Sequence, residues 1–191
     1  MSAATTLVLD EQETVELILP EVTRFLARHV RGDEIAREGK IPASVREAAA
    51  ALGLFGLTIP VEYGGAGLSL ASTSKIVAEI ARVDRSVAIM IGLHAGLGTR
   101  GLVEHGSSAL KREWLPRLVD GGEFAAYCCS EPDAGSDVAG LSTRVRRDGS
   151  DYVLNGQKRW ITNGGVASWY SVLATFDKGL KHRGIACFVV D

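Results

Sequence analysis

The sequence predicts an α+β protein: an N-terminal all-helical bundle followed by an antiparallel, barrel-like β domain that is truncated. Three observations lead there. Up to Gly121-Gly122, apolar residues recur at spacings of three and four. Beyond that pair they alternate, between turn signals at Asp148-Gly149, Asn155-Gly156 and Asn163-Gly164-Gly165. The last apolar run then reaches Asp191 with nothing after it, which leaves a strand whose further partners are expected from elsewhere. The chain accordingly divides into a helical domain over 1–121 and an incomplete β domain over 122–191.

The helical half is justified segment by segment. Val15, Ile18, Leu19, Val22, Phe25 and Leu26 place an apolar stripe on a helix over 11–30, with a kink or break expected at Pro20. Pro42 suits the first turn of a second helix, which runs through Val45, Ala49 and Leu52 to Gly53. Gly56, Pro60, Gly64, Gly65 and Gly67 mark the following stretch as a loop. Two longer helices are expected over 69–83 and 86–105. The second is apolar nearly all round, the mark of a central helix, and His94 on it reads as a hydrogen-bonded core histidine. A shorter helix over 107–119 closes the set.

In the β half, residues 142–147 and 151–154 form two strands across the Asp148-Gly149 turn. Asn155-Gly156 predicts a further hairpin into a strand over 157–162. Residues 169–176 and 185–190 are the remaining strands. Arg144, Arg146 and Arg147 read as a solvated strand face, and Lys181-His182-Arg183 as a surface hairpin.

Composition narrows the function. The 191 residues carry 21 Lys and Arg against 23 Asp and Glu, a formal net charge of −2. That balance argues against nucleic acid as a partner, since phosphate-backbone binding calls for a basic face. No apolar stretch approaches the roughly 20 residues of a membrane span. The first residues, MSAATTLVLDEQETVE, lack a basic region ahead of an apolar one and do not read as a secretion signal. The three cysteines include an adjacent pair, Cys128-Cys129, which suits neither an ordinary disulfide nor a metal site. They read as reduced, buried small residues, and the setting as cytoplasmic.

Two stretches carry the chemistry. YCCSEPDAGSD, from Tyr127 to Asp137, sets Ser130 before a Glu131-Pro132 break and Ser136 after a small-residue turn. KRWITNGG, from Lys158 to Gly165, supplies Trp160, Ile161 and Thr162 ahead of an Asn-Gly-Gly turn. Together they offer a flat aromatic, several hydroxyls and close-approach backbone, the parts needed to hold a planar, phosphate-bearing cofactor. Taken singly, each has a plainer reading: an ordinary strand-to-loop turn for the first, a half-buried core aromatic for Trp160. Their joint spacing favours the cofactor.

YCCSEPDAGSDVAG and YVLNGQKRWITNGG, with LTIPVEYGGAGLSL and REWLPRLVDGGEFAAYC, strongly resemble the acyl-CoA dehydrogenase family over nearly the whole chain from Glu11. The resemblance implies a helical N-terminal domain, most of a middle β domain, and a missing C-terminal helical domain. It implies FAD lined by Tyr127, Cys129, Ser130, Gly135 and Ser136 and covered by Trp160, Ile161 and Thr162. Ser136, at the meeting of flavin pyrophosphate and acyl-CoA, and His182, in a loop near the CoA entrance, are the implied substrate contacts. Asp133 departs from the family's commoner Gly and brings a charge toward an anionic cofactor unless it points to solvent.

The implied reaction is α,β-dehydrogenation of an acyl-CoA thioester, with an electron-transfer flavoprotein as acceptor and a homo- or hetero-oligomeric assembly. The family's base, a glutamate, lies in the C-terminal domain, so no catalytic residue is assigned here. Glu131 reads as structural, and Glu62 and Glu123 have no motif support. Two alternatives stay open: a non-catalytic, truncated subunit or acyl-CoA-binding partner, and an acyl-CoA oxidase on the same scaffold.

Overall fold

The computed structural model describes residues 10–191. The reading of the N-terminal stretch as lacking a secretion signal rests mostly on residues 1–9 and lies outside the described residues. Seven α-helices precede a five-stranded sheet among the described residues: α1 Glu11–His29, α2 Gly32–Glu38, α3 Ala43–Ala51, α4 Leu70–Val83, α5 Arg85–Leu93, α6 Thr99–His105, α7 Ser108–Val119, then β1 Ala125–Cys128, β2 Arg144–Asp148, β3 Asp151–Asn155, β4 Trp169–Thr175 and β5 Ile185–Val190.

Helix α1 starts at a capping box. Asp10 Oδ1 accepts from Glu13 N at 2.7 Å while Asp10 N donates to the Glu13 carboxylate at 2.9 Å. Pro20 does not break it. The proline sits on the exposed face, so the core stripe of Val15, Val22, Phe25 and Leu26 stays continuous. Helix α2 has no counterpart in the sequence pattern. Its seven residues are too few to show a period, and Gly39 at φ 65° stops it.

The loop between α3 and α4 is part of the core. Leu54, Phe55, Leu57 and Ile59 are all buried. Its backbone is satisfied internally, with Ala66 N donating to Gly56 O at 2.9 Å and Leu68 N to Leu57 O at 2.8 Å. Glycine is required at 65, because a Cβ there would lie 2.0 Å from the Ile59 carbonyl.

The central helix runs from Arg85 to His105 as α5 and α6 joined by a π-helical stretch over His94–Gly98. Contrary to the sequence reading, it has the length and composition of a membrane span. In the fold it is a core helix that buries Val87, Ala88, Met90 and Ile91. Side chains bond to the carbonyls of this stretch. Thr58 and Thr99 donate to Ala95 O, and Ser171 on β4 donates to Gly98 O at 3.2 Å.

The sheet corrects the expected one. Its order is β1-β4-β2-β3, with β5 on the other edge of β4. The β2–β3 and β4–β5 pairs are antiparallel, but β1 and β2 both run parallel to β4. The sheet is therefore mixed and open rather than an antiparallel barrel. The long excursion from Cys129 to Ser168 returns the chain beside β1 in the same direction, which a hairpin cannot do. Residues 157–162 form no strand, so Asn155-Gly156 is not a hairpin turn. Gly156 is there for space: a Cβ would fall 2.4 Å from Thr143 Oγ1.

Two contacts join helices to sheet. Trp114 on α7 stacks on the buried Trp169 of β4, centroids 5.8 Å apart, with Arg117 over Trp114 at 4.3 Å. His94 is fully buried among Phe55 and Phe124. Its Nδ1 accepts from Ala125 N of β1 at 3.1 Å, so Nε2 carries the proton and donates to Leu118 O of α7 at 3.2 Å. Burial pushes its pKa from the ordinary 6.5 down to about 4.

The unfolded chain protonates His94 before the folded protein does. Its contribution is complete above pH 6.5 and is lost as pH falls toward 4, by about 3 kcal/mol at ~1.4 kcal/mol per pH unit. Urea melts of wild type and His94→Gln at a series of pH values measure this. The variant is less stable at pH 7 and has a shallower slope between pH 6.5 and 4.

Candidate functional site

The two motif stretches, Tyr127–Asp137 and Lys158–Gly165, meet in space although residues 138–157 separate them. Strand β1 delivers the first. Ala125 and Ala126 are fully buried and anchor it against β4. The chain then leaves the sheet through a tight turn in which Glu131 N donates to Ala134 O at 2.8 Å. The second stretch is a loop that crosses this exit. Arg159 N donates to Ser130 O at 2.8 Å, and Lys158 Nζ to Cys129 O at 3.1 Å.

Glu131 is the knot of this junction. Its buried carboxylate takes Lys158 Nζ at 2.9 Å, Thr143 N at 2.9 Å and Ser142 N. Burial alone raises its pKa, but hydrogen bonds from Thr143, Lys158 and Ser142 outweigh it and hold the group at about 2. A carboxylate so occupied is a structural anion, not a base, in agreement with its sequence reading. The sequence alone does not single out Lys158. Its only signal was a cation beside the motif whose buried partner lies 27 residues away.

The remaining motif residues lie on or near the surface. Tyr127, Cys129 and Ser130 are half-buried; Gly135 and Ser136 are exposed. Trp160 corrects the strand assignment. It sits in a loop at φ 59°, is 79% exposed, and carries the Arg159 guanidinium 4.6 Å from its ring. Ile161 and Thr162 are half-buried beside it. Asn163, at φ 66°, turns the loop back onto the bundle, its Nδ2 donating to Met90 O of α5 at 3.3 Å. The sequence marked Asn163 as a turn residue and gave no sign of that long-range contact.

Asp133 is exposed on the turn, so its charge meets solvent. His182 lies exposed in the 3₁₀ stretch Lys178–Gly184 between β4 and β5. That stretch packs against Val138–Gly140, just past Ser136, and Lys178 Nζ reaches Ser142 Oγ at 3.0 Å. The cysteines are free. Cys187, expected to be buried, is exposed at a position on β5. Burial pushes Cys128 up to about 11, which keeps it a neutral thiol near pH 7. Burial first, and then Cys129, pushes Tyr127 up to about 12, so it remains a phenol.

The arrangement defines a shelf: an exposed indole, hydroxyls at Ser130, Ser136 and Thr162, and open backbone at Gly135, where a Cβ would meet nothing within 4 Å. The family description "Acyl-CoA dehydrogenase, N-terminal domain" matches residues 12–122, and "Acyl-CoA dehydrogenase, middle domain" matches residues 126–191. The chain belongs to the acyl-CoA dehydrogenase family. It is 40% identical over 157 residues to the probable acyl-CoA dehydrogenase fadE25 of Mycobacterium leprae, covering 82% of this chain and 40% of that protein. The crystal structure of an acyl-CoA dehydrogenase from Geobacillus kaustophilus superposes with a TM-score of 0.86 at 31% identity, over 98% of this chain and 50% of that one. An acyl-CoA dehydrogenase complexed with FAD from Bacillus anthracis gives a TM-score of 0.79 at 31% identity, over 98% and 32%. The chain thus spans half or less of each of these relatives.

The Glu131 junction yields a prediction. Glu131→Gln removes the counter-charge of Lys158 and leaves a buried cation unpaired, which costs about 3 kcal/mol at neutral pH. The wild-type contribution is complete above pH 4.5 and is lost as pH falls toward 2. Denaturant titrations at pH 7 and pH 3 check both statements. Equal stability of wild type and variant at pH 7 contradicts the role given to Glu131.

Proposed function

We propose that this chain supplies the flavin shelf and part of the acyl-CoA site of an enzyme that dehydrogenates acyl-CoA thioesters between Cα and Cβ. The observation that carries the reading is the junction of the two motifs at Glu131, Lys158 and Arg159, which joins the stretches that bear the hydroxyls, the free backbone and the Trp160 indole. The residues present fit FAD. An indole left 79% exposed at positive φ offers a free aromatic face, and the Gly135 backbone is unobstructed. Ser130, Ser136 and Thr162 would hold the cofactor by hydrogen bonds, with Tyr127, Cys129 and Ile161 lining it. Bound there, FAD supplies the two-electron acceptor for the hydride that leaves Cβ.

This chain's own residues then do three things. Trp160 and Ile161 pack one side of the flavin and exclude water from it. Ser136 orients cofactor and thioester relative to each other. The His182 loop adds Lys178, Lys181 and Arg183 as cations for the anionic CoA end, joined to the Ser136 side through Lys178 and Ser142. Removal of the α-proton needs a free carboxylate, and Glu131 is not one, being held at about 2 by its donors. We place the base in polypeptide that the relatives have outside this stretch. The same reading divides the chain at 121/122. By resemblance it takes an electron-transfer flavoprotein as acceptor and an oligomeric assembly, and the free cysteines favour a cytoplasmic setting.

Two measurements test this. Trp160→Ala exposes one side of the flavin and weakens FAD binding roughly ten-fold, the order of one lost stacking contact; a fluorescence titration reads it, and an unchanged affinity counts against the shelf. The 191-residue chain, assayed with FAD, an acyl-CoA and an artificial electron acceptor, shows no turnover. Loss of a general base alone costs about 10²- to 10⁴-fold. Robust turnover that disappears in Glu131→Gln would place the base within this chain.

A further inference from the structure

Two indoles in this fold carry an arginine on one face, in different settings. Arg117 lies 4.3 Å from the Trp114 ring centroid, and its Nε donates to Glu123 Oε1 at 2.8 Å, so its charge is balanced. Trp114 is buried and stacks on Trp169, which makes that pair part of the packing. Arg159 lies 4.6 Å from the Trp160 centroid and joins none of the ion pairs among the described residues. Trp160 is 79% exposed and sits at φ 59°, a strained backbone conformation for a bulky side chain. Packing within the chain does not account for a strained, exposed indole with an unbalanced cation over it.

The other charges of the two motifs are placed differently. Lys158 is taken by Glu131 at 2.9 Å, so that pair adds no net charge. Asp133 and Asp137 are exposed on the first motif's turn. Arg159 is therefore the cation of the second motif that has no counter-ion among the described residues. Its place in the loop does not depend on its side chain. The bond that holds it runs from its backbone N to Ser130 O, at 2.8 Å, and any residue except proline can make it.

We infer that Arg159 tunes the bound flavin: from its face of the Trp160 indole it favours reduced over oxidised FAD, and so raises the reduction potential of the cofactor. The inference rests on the flavin reading of the shelf and deepens it by assigning the redox bias to one residue. Two effects act in the same direction. A hydride carries two electrons and one proton, so its arrival makes a neutral isoalloxazine singly negative, while the α-proton leaves to the base. A cation with only the indole between it and that anion lowers the anion's energy, the more so once the cofactor has displaced water from the ring. The guanidinium also draws on the π electrons of the indole. That makes the ring a poorer donor to electron-poor oxidised flavin and a better neighbour for the electron-rich reduced form. Arg159 acts through Trp160, as a positioning residue rather than a catalytic one.

Anaerobic calorimetric titrations of the chain with oxidised FAD and with dithionite-reduced FAD test this, because the ratio of the two dissociation constants reports the bias. Arg159→Met, which keeps a flexible stem and removes the charge, lowers the preference for reduced FAD about ten-fold, the order of one desolvated cation–π contact. For a two-electron couple that is a drop of about 30 mV in potential. Arg159→Lys, which keeps the charge, keeps the preference. A merely structural role weakens both redox forms alike and leaves the ratio unchanged, and that result overturns the inference. So does an equal loss of preference in Arg159→Lys, which would assign the effect to packing rather than charge. If oxidised FAD binds neither wild type nor variants, the shelf reading falls and takes this inference with it. If oxidised FAD binds and the ratio is indifferent to residue 159, the inference falls alone.

Discussion

The imidazole of His94 is the point on which both halves of the chain depend. One ring nitrogen accepts the Ala125 amide of β1 and the other donates to the Leu118 carbonyl of α7. Only a neutral side chain with one donor and one acceptor on opposite edges can serve both. Complete burial keeps it neutral across the physiological range, by pushing its pKa to about 4. His94 is the first residue of the π-helical stretch, and carbonyls of that stretch accept bonds from Thr58 and Ser171, which tie the central helix to the neighbouring loop and to β4.

With β1 fixed at its first residue, the first motif has a defined starting point. Four to six residues later the chain reaches Cys129, Ser130 and Glu131, where Lys158 and Arg159 of the second motif are bound. The ordering is hierarchical. A buried histidine places a strand, the strand places a buried carboxylate, and the carboxylate with its lysine places the loop bearing Trp160. A buried ion pair of this kind adds little net stability against an apolar alternative, but breaking it by removing one partner is expensive. Its service here is geometric: it holds an irregular loop that has no strand ladder of its own.

Much of the arrangement was legible in the residues. The switch from helical to alternating periodicity placed the change of structure near Gly121-Gly122, with α7 ending at Val119 and β1 starting at Ala125. Helix α4 and the Arg85–His105 helix fell within a residue of their expected starts. Other elements were not legible, each for a local reason. Helix α2 is too short to show a period. Pro20 signals a break by propensity, but α1 carries it on an exposed face and keeps its core stripe intact. Asn155-Gly156 has the composition of a hairpin turn, yet the glycine is needed because Thr143 packs where its side chain would go. Trp160 looked like a strand residue by β propensity, and the tie of Arg159 to Ser130 puts it in a loop instead.

The sequence by itself determined most of the elements and the residue types of the site, because both are written in short-range patterns: apolar spacing, turn residues, and hydroxyls and an indole clustered in two short stretches. The tertiary structure alone decided what those stretches touch. The parallel pairing of β1 with β4, the capture of Lys158 by Glu131 across 27 residues, and the reach of Asn163 to Met90 across 73 are long-range contacts with no local signature.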